Sequence, residues 1–344
     1  MLIPIQNLYY LLCYAWNRLP APDEWQHLAE QEFHRPLELL TQLLLLGTRR
    51  LLLQGLPRGY AEREQELAEL RGRVLLTPSI GRDLLRRGRA VCAYDELGPN
   101  TPLNRLLAGT LDALGRTRHL PAALRQEVRR VRSRFPDEVL PAPLTRAELR
   151  AVRRLRLPGP EGFLLNICGL IYRTALPDTD AEGRTRFHDF RRDETLMAGI
   201  FERFVRNFYR LEQRRYRVLS ETISWQAEAD RAEDLALLPS MITDTSLESP
   251  ERKIILDTKY YQAAFKAHHD RQRLISPHLY QLYAYLQNQA AHTAVPLEGV
   301  LLYPAATHQA DLRYTLGGFP VRVVTLDLNQ PWPAIAAALL DLVE

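Results

Sequence analysis

The chain has 344 residues, 46% of them hydrophobic and 25% charged, with a formal net charge of +4. That is the composition of a soluble globular protein able to bury a core without disulfides, and the length favours two domains. Three scattered cysteines with no CxxC pair argue against a zinc site or a disulfide framework and fit a reducing, cytoplasmic setting. The opening "MLIPIQN" lacks a basic leader before an apolar run, so no signal peptide is expected. "NLYYLLCYAW" is continuously apolar, and "RPLELLTQLLLLGTRRLLLQGL" has helical periodicity with Gly55 as a stop. Arg49 and Arg50 interrupt the most apolar stretch, which is too short to span a bilayer, so no membrane partner is expected. "RVLLTPS" and "AVCAYDEL" read as short strands, and "NTPLNRLLAGTLDALG" as a helix capped by Asn or Thr. Three arginine runs follow one another before residue 160 and read as helices; a solvated face is favoured over contact with phosphate or an acidic partner. The last ends in "LPGP", a strong breaker, which places a domain boundary between 1–158 and 159–344.

The second half changes rhythm. "DETLMAGIFERFVRNFYRLEQ" is an amphipathic helix with Met197, Phe201, Phe204, Val205 and Phe208 on one face. Three strand-like segments follow, "YRVLSETISWQAEA", "LPSMITDTSLE" and "RKIILDTKYY". A helix "SPHLYQLYAYLQNQ", strands "EGVLLYP" and "PVRVVTLDL", and a closing helix led by Pro331 complete the order. Helix, three strands, helix, strand predicts an α/β fold with a mixed sheet.

Residues 240–248 and 253–260 read as a hairpin closed by "SPER". A symmetric register sets Glu248 against Lys253 and carries Asp244 opposite Asp257. Lys259, two residues on, shares the face of Asp257. Opposed carboxylates repel, and a divalent cation offsets them: Mg²⁺ takes one or two carboxylates plus waters and phosphate oxygens. Such a cation with a nearby ammonium suits phosphodiester hydrolysis. Histidines offer less. His268 and His269 are adjacent and cannot face one site from a regular element, and His278, on the helix face of Gln281, reads as a surface residue. No GxxxxGK[ST] is present, so no nucleotide is expected on this chain by that route.

"TD…ILDTK" resembles the PD-(D/E)xK nuclease signature, with Thr243 where proline is common. The helix–three strands–helix–strand order is that of the PD-(D/E)xK core. Gln281 and Tyr285 in "YQLYAY" resemble the QxxxY element of RecB-related nucleases, which implies that Gln281 organises the site and makes Tyr285 an accessory candidate. In related nucleases a helix carboxylate completes the metal shell; here that is Glu202, or else Glu202 pairs with Arg203 or Arg206. "LIPIQNLYYLLCYAW", "YDELGPNTPLNRLL", "IFERFVRNFY", "LPSMITDTSL", "ILDTKYY" and "LYQLYAYL", in that order, resemble segments of the McrC family across nearly the whole chain.

The resemblance implies a mainly helical N-terminal domain followed by an αβββαβ restriction-endonuclease-like domain. It implies Asp244, Asp257, Lys259 and Gln281 as the catalytic set, Asp244 and Asp257 as metal ligands with Glu202 as a possible third, and Mg²⁺, or Mn²⁺ in its place. It implies as partners a hexameric McrB-like AAA+ GTPase ring, whose hydrolysis the chain stimulates, and double-stranded DNA containing modified cytosine. Residues 35 to 70 are expected to form a helical arm, either inserted in that ring or packed as a hairpin in the N-terminal core. The alternatives are a non-cleaving scaffold that activates the GTPase and a RecB-like repair exonuclease.

Overall fold

The computed structural model describes residues 3–18, 33–175, 177–179, 185–187, 189–260, 265–268, 271–305 and 309–344. Two compact units divide the chain: Met1–His34 with Asp178–Glu344, and Arg35–Pro177. The first helix, α1 (Ile5–Ala15), belongs to the discontinuous unit.

The continuous unit contains α2 (Pro36–Gln54), a three-stranded antiparallel sheet of β1 (Gly59–Leu67), β2 (Arg73–Val74) and β3 (Ala90–Gly98), and then α3 (Pro102–Arg116), α4 (Ala122–Arg132), α5 (Arg146–Arg153) and α6 (Gly159–Ala175). Caps set the starts: Thr101 Oγ1 accepts from the Asn104 N–H, and Thr145 Oγ1 from the Glu148 N–H. The expected helical arm over 35–70 is not formed. Gly55, at φ +96°, ends α2, and the charged run 59–67 becomes the edge strand β1 in register with β3. Pairing with the apolar β3 overrides the helix preference of its glutamates, and cross-strand pairs such as Arg63–Glu96 (2.8 Å) and Arg89–Glu66 (2.7 Å) seat them. α2 itself is buried, with Leu39, Leu40, Leu43, Leu44 and Leu45 at most 1% exposed. "RVLLTPS" is strand only at β2 and then turns into a short helix, Leu76–Gly81. The first arginine run yields one 3₁₀ turn, Leu85–Arg87, rather than a helix.

The boundary falls at 177/178 rather than 158/159. α6, beyond the "LPGP" break, packs on α2, α3 and α5. Its approach to α2 is close: a Cβ on Gly47 would lie 2.5 Å from Leu164 Cδ2. "LPGP" therefore turns one helix into the next inside this unit.

The discontinuous unit contains α7 (Glu194–Glu212), β4 (Arg217–Leu219), β5 (Thr222–Ile223), β6 (Met241–Ile242), β7 (Thr245–Glu248), β8 (Lys253–Thr258), α8 (Ser276–Ala290), β9 (Leu297–Pro304), β10 (Asp311–Leu316), β11 (Phe319–Leu326) and α9 (Trp332–Asp341). Six strands form one sheet in the order β10-β11-β9-β8-β7-β4; β8–β9 and β9–β11 are parallel and the outer pairs antiparallel. This is the expected α/β class with a mixed sheet. β10 is a strand the sequence reading did not anticipate. β5 pairs β6 apart from the main sheet, because each expected strand over 216–229 and 238–248 is broken.

All five predicted apolar residues of α7 are fully buried. α7 packs against α1, where Tyr10 and Tyr14 stack on Trp332 and Phe204 and Phe208 meet its ring edge-on. β8, buried along its whole length, contacts both α7 and α8. Ile255, Leu282, Tyr285, Leu286, Leu301 and Val323 form the core beside α8. A charge placed on β8 therefore sits in a dry environment unless a partner reaches it.

Candidate active site

β7 and β8 pair in the expected register, Glu248 with Lys253 through to Thr245 with Leu256. The ladder ends there, and the direct opposition expected of Asp244 and Asp257 is not formed. Asp244 lies in a bend between β6 and β7. Thr243 causes it: its N–H donates to the Glu221 carbonyl (3.0 Å), its carbonyl accepts from Ser220 Oγ (2.8 Å), and its Oγ1 accepts from the Glu221 N–H (3.1 Å). These bonds draw the backbone toward residues 220–221 and interrupt the strand. The Asp244 carboxylate reaches β8 instead by its side chain. Its Oδ2 accepts from both the N–H (2.8 Å) and Oγ1 (2.7 Å) of Thr258.

Asp257 is fully buried. Its Oδ2 lies 2.7 Å from Lys259 Nζ, an ion-pair approach without an aligned hydrogen bond, and its Oδ1 has no partner. Burial first, then the neighbouring Asp244 charge, push its carboxyl from 3.8 up to about 7; Lys259 opposes the rise and Glu202 adds to it. Lys259 Nζ also donates to Gln281 Oε1 (2.9 Å). Gln281 Nε2 donates to Tyr285 Oη (2.7 Å), and Tyr285 Oη donates to the Ile242 carbonyl (3.0 Å). The i, i+4 spacing on α8 thus builds a relay from Lys259 through an amide and a phenol to the strand that leads into Asp244. Burial raises the Tyr285 phenol above its ordinary value.

Glu202 accepts from Arg206 Nη1 (3.0 Å), the pairing expected as its alternative role. It is still electrostatically part of the group: burial first and then Asp244 raise its carboxyl, against the pull of Arg206 and Arg203. Arg206 Nη1 also donates to the Asp244 carbonyl (2.8 Å), fixing the bend from α7. The structure therefore gathers Asp244, Asp257, Lys259, Gln281 and Tyr285, with Glu202 at the margin. Sequence reasoning missed Thr258 and the second bond of Arg206. A threonine between the acid and the lysine was visible, but its role depends on a bend that the hairpin count did not contain. His278 is not a surface residue: it is 7% exposed, and its Nδ1 lies 2.8 Å from Tyr303 Oη. Of His268 and His269, the side chain of the first and the whole of the second lie outside the described residues.

Among the described residues no three or more His, Cys, Asp or Glu side chains converge as a metal cluster. A hard cation that keeps several waters needs only one or two carboxylates. The orphaned Oδ1 of Asp257 is a buried acceptor without a donor, and Asp244 has one oxygen tied by Thr258. That donor set fits a hydrated divalent cation, which Asp257 and Asp244 would hold.

Residues 5–304 match a family model described as the McrBC 5-methylcytosine restriction system component. Over 340 residues the chain is 28% identical to the type IV methyl-directed restriction enzyme EcoKMcrBC of Escherichia coli (strain K12), covering 99% of this chain and 97% of the relative. A chain from a refined half-complex of a tetradecameric assembly of Thermococcus gammatolerans McrB AAA+ hexamers with bound McrC superposes with a TM-score of 0.57 at 16% identity. That match covers 99% of this chain and 76% of the other.

Proposed function

The chain belongs to the McrBC 5-methylcytosine restriction system component family, and from that premise we propose that it is the subunit that cuts DNA, a Mg²⁺-dependent endonuclease of PD-(D/E)xK type. One observation carries the reading: a fully buried Asp257 with an unpartnered oxygen, beside Asp244 and Lys259. A buried carboxylate left unsatisfied costs stability and persists where function requires it. Asp257 and Asp244 would hold a divalent cation, Mg²⁺ or Mn²⁺, which would supply Lewis acidity to a phosphoryl oxygen and acidity to a water.

The remaining work falls to the chain. Lys259 holds positive charge at the site where charge on the phosphate grows, and its reach is set by Gln281, itself locked by Tyr285. Asp257 holds a cation only when ionised, and a bound cation would pull down the titration point that burial raises in the metal-free chain. Thr258 and Arg206 keep Asp244 in place from two sides. Among the described residues no helix is long and apolar enough to cross a membrane.

The partner in this reading is an AAA+ GTPase ring of the McrB kind, whose GTP hydrolysis the chain stimulates. The family match and the likeness to a chain from an assembly of McrB hexamers with bound McrC support it. The substrate is double-stranded DNA carrying modified cytosine, read by the ring. The test is nicking of cytosine-methylated plasmid with Mg²⁺, with and without the ring and GTP. Cleavage is expected only in the complete mixture and is lost in Asp257→Ala, whose GTPase stimulation persists. Rapid GTP-independent cutting by the chain alone contradicts the delegation of recognition. Undiminished cutting by Asp257→Ala contradicts the site.

A further inference from the structure

The near-neutral total of +4 hides a division. Residues 35–177 carry 25 arginines, no lysine and 14 carboxylates, a formal +11. The unit that holds Asp244 and Asp257 carries 20 lysines and arginines against 27 carboxylates, a formal −7. A polyanion is repelled on average by the unit proposed to cut it. Its affinity for the chain therefore has to come from elsewhere.

The positive charge is concentrated further. Between residues 116 and 156 there are twelve arginines against four carboxylates. α4 turns Leu124, Val128 and Val131 inward, and α5 turns Leu149 and Val152 inward, while Arg125, Arg129 and Arg132 reach from α4 to residues 112–117. Ten of the twelve are exposed. Among the described residues, Arg132 alone of the twelve has a carboxylate in ion-pair reach, Asp112 at 3.1 Å. Arg125 and Arg129 donate to the backbone carbonyls of Thr117 and Gly115 and keep their charge uncompensated. A solvated helical face ordinarily interleaves signs, which lowers its self-repulsion. Eleven guanidinium groups without a carboxylate in ion-pair reach, within forty-one residues of chain, gain by meeting a regular array of anions.

We infer that the exposed arginines on and just beyond α4 and α5, Arg130, Arg134, Arg150 and Arg154 among them, bind the phosphate backbone of duplex DNA without regard to sequence. This rests on the reading of the chain as a DNA-cutting subunit and locates the part that holds the substrate's backbone. Spread over two helices and the turns beyond them, the charges suit a long polyanion better than a compact ligand. Counter-ion release makes such binding steeply salt-dependent, with a slope of about 0.9 per phosphate neutralised.

The experiment uses the full chain, a fluorescent 30-base-pair duplex of unmodified random sequence, and EDTA, so that no cleavage intervenes. Anisotropy is followed over a NaCl series. The wild-type chain is expected to bind at low salt and to release the duplex as salt rises. Arg130→Gln, Arg134→Gln, Arg150→Gln and Arg154→Gln together should weaken binding at least tenfold and flatten the log–log slope by about 2 to 4. The corresponding quadruple lysine variant should restore both, which separates lost charge from lost folding. Asp257→Ala should bind like wild type, so that loss of cleavage and loss of DNA retention are independent results. Undetectable binding by the wild type at low salt, or equal binding by the glutamine variant, overturns the inference. So does a glutamine variant that binds DNA normally but no longer assembles with the AAA+ ring, which assigns the face to a protein partner.

Discussion

The two ends of the β7–β8 hairpin carry similar residues and opposite electrostatics. At the closed end Glu248 and Lys253 face each other in register, and each has a partner: Arg217 Nε donates to Glu248 at 3.1 Å, and Lys253 Nζ lies 2.8 Å from Glu221. The bond from Arg217 holds the Glu248 carboxyl below its ordinary value. At the open end Asp257 keeps an oxygen with no donor, and its carboxyl is driven up to about 7. One hairpin thus shows charges placed for stability and charges placed in spite of it. Burial separates the two carboxyls, and the completeness of partners separates the two buried charges, Lys253 at 3% exposed and Asp257 at 0%.

The largest break in that contrast comes at Asp257. Replacement by Ala should lower plasmid cleavage by about 10³-fold. The same carboxyl should shape stability in metal-free protein. It titrates at its ordinary 3.8 when unfolded and near 7 when folded. Between those values the native state keeps a proton that the unfolded chain has released. Its contribution therefore makes stability fall as pH rises from about 4 to about 7, and level off above. Thermal melts in EDTA should show this decline, and Asp257→Asn should flatten it. Added Mg²⁺ should raise the melting temperature more at pH 8 than at pH 5. A wild-type profile no steeper than that of Asp257→Asn would count against the buried charge.

Second in size is the closed end. Lys253→Met leaves Glu221 without its cation and should cost about 3 kcal/mol by urea titration. Cleavage per folded molecule should change little, because this end contributes no group to the chemistry. Smaller is Tyr285→Phe, which leaves the Ile242 carbonyl without its donor and Gln281 without its anchor; about 1 kcal/mol is expected. Here kcat should fall while metal affinity, read by Mn²⁺ binding, holds. Smallest is Arg217→Ala. Its pair with Glu248 is largely exposed on the arginine side, so the urea midpoint should move least of all in this variant.

How much of this was legible beforehand follows the same division. The turn "SPER" and alternation fix the Glu248–Lys253 register, and 3.6-residue periodicity sets Gln281 above Tyr285 and all of the buried face of α7. Local rules reach that far. Asp244 escaped because its position depends on Thr243 bonding to residues 220–221, a contact remote in sequence. The boundary escaped for a related reason. A Pro-Gly break marks a turn whether it lies between domains or between two helices, and only the packing of α6 on α2 and α3 decides. His278 shows the limit of helix-face reasoning: its ring is buried against Tyr303, a residue of β9, which no spacing along α8 contains.

One feature of the discontinuous unit bears on biogenesis. α1 is held by partners made much later: Asn7 donates to the carbonyls of Leu328 and Gln330, and Asn207 donates to the Tyr14 carbonyl. At about 5–20 residues per second, a ribosome needs on the order of half a minute to go from α1 to α9. Until α7 emerges the segment "NLYYLLCYAW" lacks its first docking surface, and until α9 emerges that surface is incomplete, while residues 35–177 emerge as one uninterrupted stretch. The nascent polypeptide thus leaves an apolar first helix waiting for its partners, and chaperone occupancy during translation should concentrate there.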